Sequence, residues 1–229
     1  MTVTRPALAR LVTPLLASLV CAVVSLLLFT GLADEMLEGD TRQFDAVVRQ
    51  YVHAHSSKWL TATMQFMTLL GSALIVAIAT AASSAALWIK GRRREALLIA
   101  ITVIGGSLLM GTLKIGFHRE RPEPFFDTRL PASYSFPSGH ALLSFCLCGA
   151  GAALLSEEQK KHWVRIAIWA FAAVLVVAIG YSRIYLGVHY PSDVIAGYLA
   201  ALVWLLGVGI VYRKAVNSSF RIPIPRGIK

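Results

Sequence analysis

The sequence predicts an all-α integral membrane bundle of six transmembrane helices. Three observations carry that prediction. The 229-residue chain is 56% apolar and only 15% charged, where soluble domains carry about 25% charged residues. Its mean hydropathy is +0.65. Charge is missing from six long stretches, and Lys and Arg gather in alternate connections between them. A disordered chain, a fibrous protein and an ordinary soluble globule are excluded. Three cysteines spread through apolar sequence exclude a disulfide framework.

An uncharged apolar stretch of about 18 or more residues reads as a membrane span. The first is Leu11–Ala33, with 23 uncharged residues. The second is Trp59–Ile89, whose 31 residues are long enough to cross with tilt. Ala96–Leu113 follows with 18, and Ala141–Ser156 and Ile166–Ser182 with 16 and 17. The last two are short alone, but each has flanking residues that extend the helix. Val194–Tyr212, with 19, is the sixth. Between the first two spans, Phe44, Val47, Val48, Tyr51 and Val52 recur at helical spacing. They read as an amphipathic helix on the outer leaflet, or as a short helix packed on the spans. Asp40 with Gln43 three residues on resembles a capping box.

Net charge is +10. Its placement points to a membrane and not to nucleic acid, because the charges are dispersed over short loops. Arg5 and Arg10, the run Lys90-Gly91-Arg92-Arg93-Arg94, Lys160, Lys161 and Arg165, and the tail residues Arg213, Lys214, Arg221, Arg226 and Lys229 all fall on one side of a six-span chain. The positive-inside rule makes that side, with both termini, cytoplasmic.

The opposite face holds three unusual clusters. Lys114 to Pro122 ends span three, Pro137-Ser138-Gly139-His140 starts span four, and Ser182 to Asp193 joins spans five and six. Each has an ordinary reading. Lys114 can snorkel, Ser138 can cap a helix, and Pro191 can occupy a first helical position. Together they assemble phosphate chemistry. Lys114, Arg121 and Arg183 bring three cations to one face, and arginine's fork suits phosphate. Ser138 and Gly139 stand where helix N-terminal amides meet an anion, and Gly139 lets that backbone approach closely. Phosphoryl transfer through histidine needs a nucleophile, an orienter and a general acid. Asp193, one turn from His189, can accept a proton from one ring nitrogen and leave the other free to attack. It is expected to raise the pKa of His189. His140 has no carboxylate at such spacing and is the candidate acid. No metal-ligand spacing is present, so no metal or other cofactor is expected.

Other residues have quieter roles. His53, His55 and His162 read as surface residues, and His118, inside the first cluster, is a lesser candidate for headgroup contact. Cys21, Cys146 and Cys148 read as membrane-packing residues. Gly105, Gly106 and Gly111 suggest close helix packing, and Trp59, Trp88 and Trp163 interfacial anchors.

The pattern Lys-x6-Arg-Pro, Pro-Ser-Gly-His, Ser-Arg-x5-His-x3-Asp resembles the type-2 phosphatidic acid phosphatase superfamily, with all eleven fixed positions matched in order. The resemblance implies one transmembrane phosphatase domain over residues 1–229, with its motifs between Lys114 and Asp193. It implies a metal-independent lipid phosphatase with a phosphohistidine intermediate. Lys114, Arg121, Arg183, Ser138 and Gly139 would bind phosphate, His189 would attack, His140 would be the acid and Asp193 the orienter. Substrates would be undecaprenyl pyrophosphate, phosphatidylglycerol phosphate or phosphatidate. The expected location is the inner membrane, with the site facing the periplasm or exterior. A lipid phosphotransferase and a non-catalytic lipid-phosphate-binding protein are the alternatives.

Overall fold

The computed structural model describes residues 5–126 and 130–219, with side chains for 15–126 and 130–216. Arg221, Arg226 and Lys229 and the side chains of Arg5 and Arg10 lie outside the described residues. Among the described residues eight helices account for the regular structure: α1 (Arg5–Glu38), α2 (Thr41–Ala54), α3 (Lys58–Leu70), α4 (Ala73–Ile89), α5 (Arg93–Phe117), α6 (Gly139–Glu157), α7 (His162–Tyr185) and α8 (Pro191–Ser219). Among them α1, α5, α6, α7 and α8 are each long and apolar enough to cross a membrane. The stretch Trp59–Ile89 is not one straight span. It divides into α3 and α4, bent by 49° between Leu70 and Ala73. Counted as one bent span, the pair brings the total to six.

Gly71 and Ser72 make that bend. Ser72 starts α4 as its N-cap, its hydroxyl accepting from the Ile75 amide at 3.4 Å. A Gly-Ser pair is a weak point in any long helix. Here Gly71 is also required by space, since a Cβ at that position would stand 2.3 Å from Ile179 Cγ2 and 3.1 Å from His140 Cδ2.

The core forms around α6, which packs on α4, α5, α7 and α8. Leu142, Leu143 and Cys146 of α6 meet Val76, Val103, Ala196, Ala200 and Ala201, and Phe29, Ala33 and Met36 of α1 join the same cluster. Burial explains why the α6 stretch is short of apolar residues. Its most apolar window is 56% buried inside the protein, against 28% or less in the other unbroken spans. A helix surrounded by protein needs small side chains that let neighbours approach, more than it needs greasy ones. Gly105 and Gly106 serve this packing, facing Trp204 and Cys146, whereas Gly111 has open space around it and no close neighbour. Elsewhere, large apolar side chains such as Leu27, Leu108, Phe171 and Val174 are exposed, as lipid-facing residues are.

α2 lies across one end of the bundle, against α7 and α8. Its stripe is divided. Val52 is buried and Val48 packs with it against Tyr185, Leu186 and Val188, while Phe44, Val47 and Tyr51 are exposed. The helix is therefore both packed on the spans and apolar on its outward side. The capping box does not form: Asp40 is itself in the helical region and its side chain makes no cap. The chain enters α2 through Gly39, held at φ 91°.

Candidate active site

Three helix ends and one kink meet at the end of the bundle where α5 stops and α6 starts. Lys114 lies in the last turn of α5 and is buried. Its ammonium donates to the carbonyl of Tyr134, and to that of Ser135 at 3.5 Å. Arg121 follows in the connection. Its Nε donates to Ser133 O at 2.7 Å and its Nη1 to Val188 O at 3.0 Å. Arg183, in the last turn of α7, is buried and donates through Nη1 to the Thr68 hydroxyl on α3. Among the described residues no carboxylate forms an ion pair with any of these three cations. Two buried cations and the half-buried Arg121, none ion-paired to a carboxylate, are suited to receive an anion.

Ser138 precedes α6, but its hydroxyl caps nothing. Ser138 Oγ and Arg183 Nε are both buried without a hydrogen-bond partner among the described residues. Unsatisfied buried polar atoms are uncommon and call for a reason; here both belong to the cluster that a phosphate would enter. Gly139 has a steric reason as well, since a Cβ there would stand 2.5 Å from Met110 Sδ.

The two histidines flank this cluster. His189 sits between α7 and α8, 2% exposed, and Asp193, in the first turn of α8, is fully buried. His189 Nδ1 lies 3.1 Å from Asp193 Oδ2, and Nε2 lies 3.0 Å from Arg121 Nη1. A guanidinium only donates, so Nε2 is the acceptor and the proton resides on Nδ1, pointing at the carboxylate. Asp193 Oδ2 also accepts from the Tyr190 amide at 2.9 Å, the third-position carboxylate of a capping box. Burial pushes the His189 imidazole down to about 4, against the hydrogen bond and charge of Asp193, with Arg183 and Arg121 adding to the fall. Asp193 does raise the imidazole as expected, but desolvation outweighs the carboxylate and the net shift is downward. His140 is half-buried at the start of α6, hydrogen-bonded to the Thr68 backbone and within electrostatic reach of Arg183, His189 and Arg121.

The structure thus brings Lys114, Arg121, Ser138, Gly139, His140, Arg183, His189 and Asp193 to one place. It adds residues that no motif position names. Thr68, next to the kink, contacts both Arg183 and His140. Arg119 reaches Asp193 Oδ1 at 2.6 Å, and Asp45 of α2 accepts from Arg119 at 2.7 Å. A carboxylate on the inward face of an amphipathic helix was the available signal for Asp45, since such a group requires a buried cation. His118 is exposed and lies edge-on to Tyr134, away from these contacts. Among the described residues no three His, Cys, Asp or Glu side chains converge as a metal site would require.

A helical membrane bundle carrying a buried cationic cluster beside a carboxylate-paired histidine defines a class, the membrane-embedded enzymes of phosphate esters. The family model described as the PAP2 superfamily matches residues 69–216, and the chain belongs to that superfamily. It is 30% identical over 148 residues to phosphatidylglycerophosphatase B of Bacillus subtilis, covering 63% of this chain and 71% of the relative. It is 42% identical over 82 residues to undecaprenyl-diphosphatase of Sulfolobus acidocaldarius, but that match covers only 36% of this chain and 32% of the relative. The crystal structure of a transmembrane PAP2-type phosphatidylglycerolphosphate phosphatase from Bacillus subtilis superposes with a TM-score of 0.77 at 25% identity, covering 87% of this chain and 97% of that one. The protein is a multi-span membrane lipid phosphatase, a hydrolase.

Proposed function

We propose that this phosphatase hydrolyses a lipid phosphate or lipid pyrophosphate through a phosphohistidine at His189, on the outer face of the inner membrane and without a metal. The observation that carries the reading is the cluster of buried Lys114 and Arg183 with half-buried Arg121, which among the described residues has no carboxylate ion pair and stands beside the unpartnered Ser138 Oγ and Arg183 Nε. A phosphate would supply the missing negative charge and acceptors together.

The proposed steps use that geometry. Phosphate oxygens draw the Arg121 guanidinium off His189 Nε2, which releases the lone pair. Nε2 attacks phosphorus in line with the leaving oxygen, and a P–N bond replaces the P–O bond. His140, on the facing helix, gives its proton to that oxygen, so the lipid leaves as an alcohol, or as a monophosphate from a pyrophosphate. Asp193 takes up the strain of charge on the imidazole through Nδ1–H. Water then attacks phosphorus, His140 accepts its proton, and inorganic phosphate departs. The three cations and the Ser138–Gly139 backbone hold the equatorial oxygens throughout.

Sidedness rests on charge. Lys90–Arg94, Lys160, Lys161, Arg165, Arg213 and Lys214 lie at helix ends opposite the site, which supports a cytoplasmic assignment of that end and a periplasmic or extracellular one of the site. The relatives' names favour phosphatidylglycerol phosphate and undecaprenyl pyrophosphate, with phosphatidate as a third candidate. The decisive experiment measures free phosphate from a panel of purified lipid phosphates, in excess chelator. The expected result is release by wild type and a loss of about 10⁴-fold or more in His189→Ala, with label trapped on His189 by rapid quench. Near-normal release by His189→Ala would refute the mechanism, and a second lipid phosphate formed with little free phosphate would indicate a transferase.

A further inference from the structure

One buried ionic chain runs from His189 to the surface helix α2. Asp193 divides its two oxygens: Oδ2 serves His189 Nδ1 and the Tyr190 amide, and Oδ1 accepts from Arg119 Nη1 at 2.6 Å. Arg119 Nη1 also donates to Ser192 Oγ at 2.8 Å, and Nη2 to Asp45 Oδ2 at 2.7 Å. Asp45 in turn accepts from the Ser192 amide at 2.9 Å and the Ser192 hydroxyl at 2.6 Å. The side chains of Asp45, Arg119 and Asp193 are 1%, 13% and 0% exposed. The Tyr190 ring covers the guanidinium, with 4.0 Å from its carbon to the ring centroid.

We propose that Arg119 and Asp45 are positioning residues of the phosphatase, fixing the Asp193 carboxylate so that Oδ2 alone faces His189, and tying the seat of α2 to the competence of that histidine. Neither touches His189, so both act through Asp193. The proposal rests on the reading of His189 as nucleophile. A fully buried carboxylate needs a partner for each oxygen and a cation for its charge. Arg119 provides the partner for Oδ1 and the cation, and Asp45 balances that cation while satisfying two donors at the start of α8.

Removing one charge at a time moves His189 in opposite directions. The other charged and titratable groups near it are Asp193 on α8, Arg121 after α5, Arg183 on α7 and His140 on α6, with Lys114 of α5 beside Arg121 and Arg49 of α2 beside Asp193. These stay constant among the variants. Without Arg119, Asp193 loses the cation that is ion-paired to it, and the protonated imidazole is favoured. Without the Asp45 charge, Arg119 acts on Asp193 undiluted and the neutral imidazole is favoured. Attack requires the neutral form.

The test is the pH profile of kcat/KM on a short-chain phosphatidate in detergent, from pH 3 to 9. Arg119→Leu is expected to lower kcat about 100-fold and to move the acid limb up by about one pH unit. Asp45→Asn is expected to lower kcat about 10-fold and to move the limb down. Arg119→Lys should restore the wild-type limb, and Asp45→Asn should cost nothing further in the Arg119→Leu background. Shifts of equal sign, an unmoved limb, or additive losses would overturn the proposal. If Arg119→Leu does not accumulate folded, the limbs of Asp45→Asn and Arg119→Lys decide alone. His189→Ala runs alongside. If it retains turnover, the nucleophile assignment is at fault; if it is inactive while the limbs stay fixed, only the positioning proposal fails.

Discussion

At the joint of α7 and α8, His189 is gripped by ions and hydrogen bonds, Asp193 on one ring nitrogen and Arg121 on the other. At the start of α6, His140 rests instead against a kink, with the Thr68 backbone as its hydrogen-bond partner and Gly71 under its ring. The first arrangement is sensitive to charge and tolerant of small changes in volume. The second is held by a backbone hydrogen bond and by packing, with no room for a methyl group at Gly71. A nucleophile must keep one tautomer through the reaction, which directional charge enforces. An acid that gives and takes a proton needs a fixed place more than a fixed charge, and close packing provides that.

Two substitutions break the comparison most directly. Asp193→Asn keeps the volume and removes the charge, so it should lower kcat about 10³-fold while the protein stays folded, through loss of the Nδ1–H tautomer. Phosphate release on folded protein is the measurement, and a loss under about 10-fold would mean that charge does not hold His189. Gly71→Ala does the reverse. Its methyl would meet Ile179 and His140, and overpacking of that kind costs about 1–3 kcal/mol. A lower Tm and a fall in kcat of about 10- to 100-fold are expected. Unchanged kcat would show that Ile179 yields and that the kink does not place His140.

The pH profile sharpens the contrast. Burial holds His189 at about 4, well below an exposed histidine. A group lowered in this way is neutral above that value and protonated below it. Attack by His189 should therefore persist through pH 5 and be lost as pH falls through about 4. An acid limb near 6.5 on kcat/KM would mean that His189 is solvated in the working enzyme. The smallest effect belongs to α2. Val47 is exposed and Val48 packs on the buried cluster of Tyr185 and Val188. Val47→Glu should lower kcat/KM a few-fold for long-chain lipid phosphates and leave a short-chain analogue unchanged, if the outward stripe meets lipid. Val48→Glu should instead reduce both substrates and the Tm together. Equal effects of the two variants would contradict the division of the stripe.

Several features were legible without coordinates because they are local or periodic. Long uncharged runs mark spans wherever they fold, and the four-residue spacing of His189 and Asp193 pointed to their contact, although His189 itself precedes α8. The eleven motif positions lie at helix ends that any antiparallel bundle brings to one side. The long stretch Trp59–Ile89 marked a span but did not reveal its bend, for a physical reason. Hydropathy registers what a segment is made of, and the bend at Gly71 depends on Ile179 and His140, far along the chain, pressing where a side chain would stand. Ser138 illustrates the same limit. Its type and position fit a helix cap, and only the fold shows its hydroxyl buried and uncapping.

The sequence by itself determined the membrane bundle, the end of it that carries the chemistry, and the residue types a phosphate would meet. Those follow from composition, from helical period and from spacings of a few residues. Only the tertiary structure decided which cation answers which carboxylate. Arg119 and Asp45 are 74 positions apart, and several arginines on the same face had equal claim to that partner. Charge pairing over such a distance depends on which helices pack together and on what burial leaves unsatisfied. Neither quantity exists until the chain has folded.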